Sequence, residues 1–233
     1  MSPSALESTQ HSRSTASGGL ARSAGILGLG NIASRVIGLA REAVISGFFG
    51  ASGHLDAFRL AARVPTMVYD LLVGGMLSAA LVPVFSEYSR SDRRDELARV
   101  ASAVFSLIAL AMGVTVLLIE AFAGPLAGLL GDFENPELQK VLENCLRLIA
   151  PAVLLFGLTG GATGLLYALR RFSYTAISGA VFNLGIVILT PLLARSIDIY
   201  VLPLGIVAGS LMQLAVTAPG LRDLRIRLGK TWG

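Results

Sequence analysis

The chain has 233 residues, 54% of them hydrophobic and only 15% charged, where a soluble domain carries about 25% charged residues. A mean hydropathy of +0.70 agrees with a membrane protein. The net charge of +4 and the 7% of aromatic residues give no support to a nucleic-acid partner, because the arginines are not gathered on one soluble face and bases would find few rings to stack on.

Residues 1–21 are polar and rich in Ser, Gly and Ala, without the charged start, apolar centre and cleavage pattern of a signal peptide. They are expected to form a disordered cytoplasmic tail. A helical span needs about 20 mostly apolar residues, and six segments within 22–221 qualify: about Ala24–Phe49, Ala57–Ser86, Val100–Ile119, Val141–Leu169, Phe172–Ala194 and Ile199–Leu221. Residues 222–233 form a basic cytoplasmic tail or linker. No segment alternates polar and apolar residues as a β-barrel strand would. The expected fold is an all-α membrane protein, a bundle of six transmembrane helices.

The linkers alternate in charge. Arg13 and Arg22 precede the first span, Arg90, Arg93, Arg94 and Arg99 follow the second, Arg170 and Arg171 follow the fourth, and Arg222, Arg225, Arg227 and Lys230 follow the sixth. The opposite linkers hold Lys140 and Arg195 beside Asp56, Asp132, Glu134, Glu137 and Asp198. By the positive-inside rule both termini are cytoplasmic.

Arg35 and Arg41 lie inside the first span, where a cation costs about 2.5–3.5 kcal/mol on insertion scales. At 100° per residue Asn31, Ser34, Arg35, Gly38, Arg41 and Glu42 share one broad stripe. Arg35 is about 16 Å into the span at the α-helical rise, near mid-bilayer. A second stripe, within about 60°, collects Asp56, Arg59, Arg63, Asp70 and Gly74 on span two. An ionised Asp70 there needs a cation, and Arg35 or Arg41 is the expected partner, while Glu42 is placed to neutralise either arginine in part. Two guanidinium groups inside the bilayer suggest a path for something anionic. Arg59, Arg63 and Arg147 are also read as register-fixing or snorkelling cations, and Asn183 and Gln213 as hydrogen-bonding glue between helices.

An enzyme is not expected. Cys145 is the only cysteine and His11 and His54 are far apart, so neither a disulfide nor a metal centre is indicated and no cofactor is implied. There is no nucleophile–base set and no phosphate-binding glycine loop followed by Lys-Ser/Thr.

The run NIASRVIGLARE at 31–42, GFFGASGHLDAF at 47–58, VPTMVYDLLVGGMLSAALVPVFSEY at 64–88 and LLYALRRFSYTAISGAVFNLG at 165–185 resemble the MurJ/MviN lipid II flippase family. That family belongs to the multidrug/oligosaccharidyl-lipid/polysaccharide exporter superfamily. The resemblance implies an inner-membrane transporter with two helical lobes that open alternately to each side and turn over a lipid-linked peptidoglycan precursor. Its substrate carries a pyrophosphate. Arg35 and Arg41 match the family's two first-helix arginines and would bind that group. Glu42 matches the acidic residue after the second arginine, and Asp56 the aspartate near the outer gate. Asn31, Arg63 and Asp70 join them as cavity or gate residues. Many family members carry basic residues where this chain has Tyr69 and Asp70, and a glutamate where it has Gly74.

The resemblance covers an N-terminal lobe. A fragment of a longer gene product, a half-size protein that pairs with a second copy, and a degenerate remnant all fit that length. The expected partners are the membrane, a lipid-linked anionic substrate, and the missing C-terminal lobe or a second copy of the chain. Export of another lipid-linked glycan or a drug, and a non-transporting scaffold for cell-wall enzymes, stand as alternative functions.

Overall fold

The structure, a computed structural model, describes residue 25 and residues 28–70, 81–88, 94–131 and 133–224. Every regular element among them is helical. The helices are α1 (28–49), α2 (Gly53–Tyr69), α3 (Val82–Tyr88), α4 (Arg94–Ala121), α5 (Ala123–Leu130), α6 (Pro136–Ala168), α7 (Phe172–Ile197) and α8 (Val201–Thr217). The expected tail 1–21, and Gly74 with the middle of the second expected span, lie outside the described residues.

Local chemistry sets the boundaries. Gly50, with φ +57°, ends α1 in the left-handed region that a residue with Cβ enters at a cost. Two residues later the Ser52 side chain caps α2 by accepting from the Leu55 N–H at 3.3 Å. Asn135 caps α6 in the same way, accepting from the Glu137 N–H at 2.9 Å, and Pro136 occupies the first turn where no N–H is needed. At the other end of α6 the Arg171 N–H bonds the Leu166 carbonyl and the Arg170 N–H bonds the Tyr167 carbonyl. This is a Schellman turn, with Arg170 at φ +57° in the position usually given to glycine.

α6 is the hub. It packs against α2, α4 and α8, and 67% of its most apolar window is buried against 17% in α4. The largest buried cluster joins Leu55, Phe58 and Ala61 of α2 to Leu142, Leu146 and Ile149 of α6 and Leu202 and Ile206 of α8. α4 turns Leu107, Leu110, Val114, Leu117 and Leu118 outward, and α1 does the same with Leu29, Ile32, Val36 and Leu39. A contiguous apolar face of this kind is one a bilayer would cover.

Helix directions follow from close approaches. Gly157 and Gly161 of α6 accommodate Met112 and then Ile108 and Phe105 of α4, so those two helices are antiparallel. Leu166 of α6 lies against Gly220 at the end of α8, so α6 and α8 run the same way. α7 and α8 return on each other through the 3-10 turn Asp198–Tyr200, along a glycine seam. A Cβ on Gly185 would clash with the Gly205 carbonyl oxygen, and one on Gly209 with that of Phe182. Small residues admit such backbone contacts.

Two expectations are refined. The basic residues Arg94 and Arg99 belong to α4, which begins before the third apolar segment and carries Asp95 and Glu96 in its first turn. The expected outer linker after that segment contains α5, whose Ala123 and Ala127 are buried. Among the described residues, three stretches are long and apolar enough to cross a membrane: α4, α6, and Phe172–Leu221, which contains the α7–α8 pair. α2 has only 17 helical residues and includes Asp56, Arg59 and Arg63.

Candidate functional site

α1 is held by α7. A Cβ on Gly30 would strike the Ala176 carbonyl, one on Gly179 would come within 2.9 Å of Ser34 Oγ, and one on Gly38 would lie 3.7 Å from Asn183 Nδ2. Rising numbers on one helix meet rising numbers on the other, so α1 and α7 are parallel.

Asn183 sits at the centre of this contact and is buried. Its Nδ2 donates to the Gly179 carbonyl at 3.1 Å and to the Ser34 carbonyl of α1 at 3.4 Å. Its Oδ1 accepts from Arg41 Nη1 at 2.9 Å. Arg41 also donates through Nη2 to Glu42 Oε1 at 2.8 Å and through Nε to the same oxygen at 3.3 Å. The second Glu42 oxygen lies 4.0 Å from Arg59 Nη2 of α2. A polar chain thus runs from α7 through α1 to α2, with one carboxylate shared by two guanidinium groups.

These groups edge a half-open cavity of about 480 Å³. Arg41, Glu42, Arg59, Arg63 and Thr66 supply its polar side, and Ile45, Phe58, Phe156, Phe182, Ile186 and Ile206 its apolar side. Three arginines face one carboxylate, so the wall carries excess positive charge. Phe156 and Phe182 stack at 5.4 Å between ring centroids with a 58° tilt, an arrangement ring quadrupoles favour. Pro65 lies buried in the α2 wall and removes the N–H that would bond the Ala61 carbonyl, while the Thr66 hydroxyl donates to the Ala62 carbonyl at 2.8 Å. With Nε and Nη2 on Glu42 and Nη1 on Asn183, the Arg41 guanidinium keeps one N–H on each Nη group to present to phosphate oxygens.

The residues expected from the sequence separate here. Arg41, Glu42 and Arg63 line the cavity. Arg35 does not; it is exposed on α1 beside Asn31, about 9 Å along the axis from Arg41 and about 120° around it. Asp56 is exposed in the first turn of α2, and Asp70 is exposed at its C-terminal cap. The expected pairing of Asp70 with Arg35 or Arg41 is corrected: Arg41 is taken by Glu42 and Asn183, and neither Arg35 nor Asp70 has an ion-pair partner among the described residues. The reason is phase, since Gly38 and Arg41 turn toward α7 rather than toward the end of α2. Arg59, read with Arg63 as a register-fixing or snorkelling cation, lines the cavity as well. Asn183 bonds across two helices as the glue reading expects, and its grip on Arg41 has no local signal in the sequence.

Comparison with known proteins adds to this geometry. The family model described as lipid II flippase MurJ matches residues 45–233, a stretch that begins just after Arg41 and Glu42. A lipid II flippase MurJ of Burkholderia cenocepacia is 29% identical over 200 residues, which are 82% of this chain and 38% of the relative. A probable lipid II flippase MurJ of Synechocystis is 32% identical over 171 residues, covering 72% of this chain and 31% of the relative. A solved structure of lipid II flippase MurJ in an inward closed conformation superposes with a TM-score of 0.70 at 25% identity, covering 86% of this chain and 42% of that one. The chain therefore spans about a third to two fifths of the length of these relatives. With helices alone as regular elements and three membrane-length apolar stretches among the described residues, and a family match from Ile45 to Gly233, the chain belongs to the lipid II flippase MurJ family.

Proposed function

We propose that the chain is the N-terminal lobe of a lipid II flippase. It acts with a second lobe, or a second copy of itself, to carry a pyrophosphate-linked head group from the cytoplasmic to the outer leaflet of the bacterial inner membrane. Family membership and the names of its relatives support a transporter rather than a catalyst. The observation that carries the proposal is the cavity: Arg41, anchored by Asn183 and Glu42, stands with Arg59 and Arg63 opposite an aromatic wall.

The chemistry suits a lipid pyrophosphate. Arginine stays charged when desolvated and bonds phosphate oxygens in pairs. The apolar side offers a surface to the lipid's hydrocarbon while the head group stays among the guanidinium groups. Arg35, about one and two-thirds turns earlier on α1, would be a second station on the path. Glu42 offsets part of the charge, so that the anion is attracted without being trapped. Asp56 and Asp70, at opposite ends of α2, and Asn31 would be gate or rim residues.

Six spans with both termini cytoplasmic fit the alternation of helix directions, with α1, α4 and α7 running one way and α2, α6 and α8 the other. In this arrangement residues 1–21 are a cytoplasmic tail, 22–221 the membrane lobe, and 222–233 a basic tail or linker toward the second lobe.

The test is complementation of flippase-depleted bacteria by the protein as its own genome encodes it. Arg41→Ala is expected to abolish growth rescue while membrane insertion persists. Full rescue by Arg41→Ala would remove the cavity from the mechanism.

A further inference from the structure

Arg147 takes no part in the cavity. On α6 it lies nine residues before Phe156, which at 100° per residue is the opposite side of the helix. Phe156 faces the cavity, whereas Arg147 points outward with its side chain 47% exposed. Beside it, α6 and the start of α8 form a second recess of about 340 Å³, lined by Asn144, Arg147, Leu148 and Tyr200.

The depth of this recess can be read from α6. Its 33 residues span about 50 Å, more than the ~30 Å hydrocarbon core of a bilayer. The stretch from Leu148 to Leu169 holds no charged residue and is about 33 Å long, one hydrocarbon thickness, with Arg170 and Arg171 bounding its far end. Arg147 is the last charge before that stretch. It therefore lies at head-group level in the other leaflet, together with Asn144 and Tyr200, where tyrosine is enriched.

The polar groups there are only partly committed. Arg147 gives Nη2 to Glu143 Oε1 at 2.8 Å, and its other N–H groups have no protein acceptor among the described residues. Asn144 Nδ2 donates to the Tyr200 hydroxyl oxygen at 3.2 Å, which leaves the phenolic proton free to donate outward. Lys140, two turns earlier on the same side of α6, is exposed and adds a second positive charge, at the end of the helix where Glu137 and, before Tyr200, Asp198 are exposed as well. Toward the membrane centre the surface becomes apolar through Leu148, Pro151 and Leu204. Cationic donors thus sit above an apolar track.

We propose that this recess binds the phosphate of an anionic phospholipid in the leaflet opposite the Arg170–Arg171 turn, with an acyl chain along Leu148, Pro151 and Leu204. The site is separate from the cargo cavity and depends only on insertion of the chain in a membrane.

Native mass spectrometry of the intact protein tests it by counting tightly bound phosphatidylglycerol, with phosphatidylcholine and inorganic phosphate as comparison probes and no cargo present. One phosphatidylglycerol is expected to bind roughly tenfold more tightly than phosphatidylcholine, which offers the same phosphodiester but brings a choline cation against Arg147 and Lys140. Arg147→Ala should lose that one lipid, and Glu143→Gln, which frees the guanidinium, should hold it severalfold more tightly, the scale of one charge-assisted contact. Equal retention of the two lipids, an unchanged count in Arg147→Ala, or displacement by inorganic phosphate would overturn the proposal. Because transport is not the readout, failure of the flippase reading would leave this result unmoved.

Discussion

Asn183 of α7 holds Arg41 of α1: the amide oxygen accepts from the guanidinium at 2.9 Å, while the amide nitrogen is anchored on backbone carbonyls of both helices. The buried amide thus fixes where the charge points. Glu42 alone, one residue away and 48% exposed, could not do so.

Asn183→Leu is therefore expected to leave Arg41 tethered only to Glu42 and to lower transport roughly tenfold, the scale of one hydrogen bond to a charged group. Asn183→Asp keeps an acceptor for Arg41 but cancels one positive charge of the cavity wall. With no N–H to give the Ser34 and Gly179 carbonyls, it should still hold the guanidinium but weaken the α1–α7 contact more than leucine does, without restoring affinity for an anionic lipid. Transport and thermal stability measured together for both variants check this, and two variants alike in both properties would argue against a positioning role.

The glycines of the helix seams should divide by what surrounds them. Gly209→Ala places a methyl group against the Phe182 carbonyl and is expected to destabilise by about 1–3 kcal/mol. Gly113→Ala in α4 meets nothing within 4 Å and should be neutral or stabilise by up to about 1 kcal/mol through helix propensity. Thermal unfolding in detergent measures both.

Much of this architecture is legible in the sequence, for physical reasons. Apolar length and charge placement locate α4, α6, α7 and α8, because the bilayer imposes both. The cost of carrying a guanidinium into a bilayer marks Arg35 and Arg41 alike in the sequence, and of the two Arg41 lines the cavity. Arg35 and Asp70 are less legible: a helical stripe gives only the angle on one helix, and the partner is chosen by which neighbour that angle meets. α5 escapes a reading by periodicity because a short apolar run between two spans carries no period of its own. The grip of Asn183 on Arg41, 142 residues away in sequence, leaves no local trace.

A clasp at the α6–α7 turn should respond to pH. Arg171 donates to the Gly220 carbonyl at 2.6 Å and to the Asp223 carboxylate, tying the turn to the end of α8. The hydrogen bond and the charge of Arg171 hold the Asp223 carboxyl below its ordinary range, with a smaller contribution from Arg94. A lowered folded-state value contributes stability that is present above the ordinary carboxylate range, about pH 3.9, and is lost as pH falls through the depressed value. Amide protection of residues 218–224, measured against the free-chain exchange rate at the same pH, should be high at neutral pH and fall below that range. Asp223→Asn should show the low protection at neutral pH, and undiminished protection in that variant would exclude the clasp.

Direct binding of a lipid pyrophosphate to the purified protein tests the central claim most closely, with titrations of wild type, Arg41→Ala and Arg41→Lys. The cavity predicts at least tenfold weaker binding in Arg41→Ala, only partial recovery with lysine, which lacks the planar fork, and a loss of affinity with salt. Equal affinity in all three proteins would contradict the claim that this guanidinium holds the cargo's phosphates.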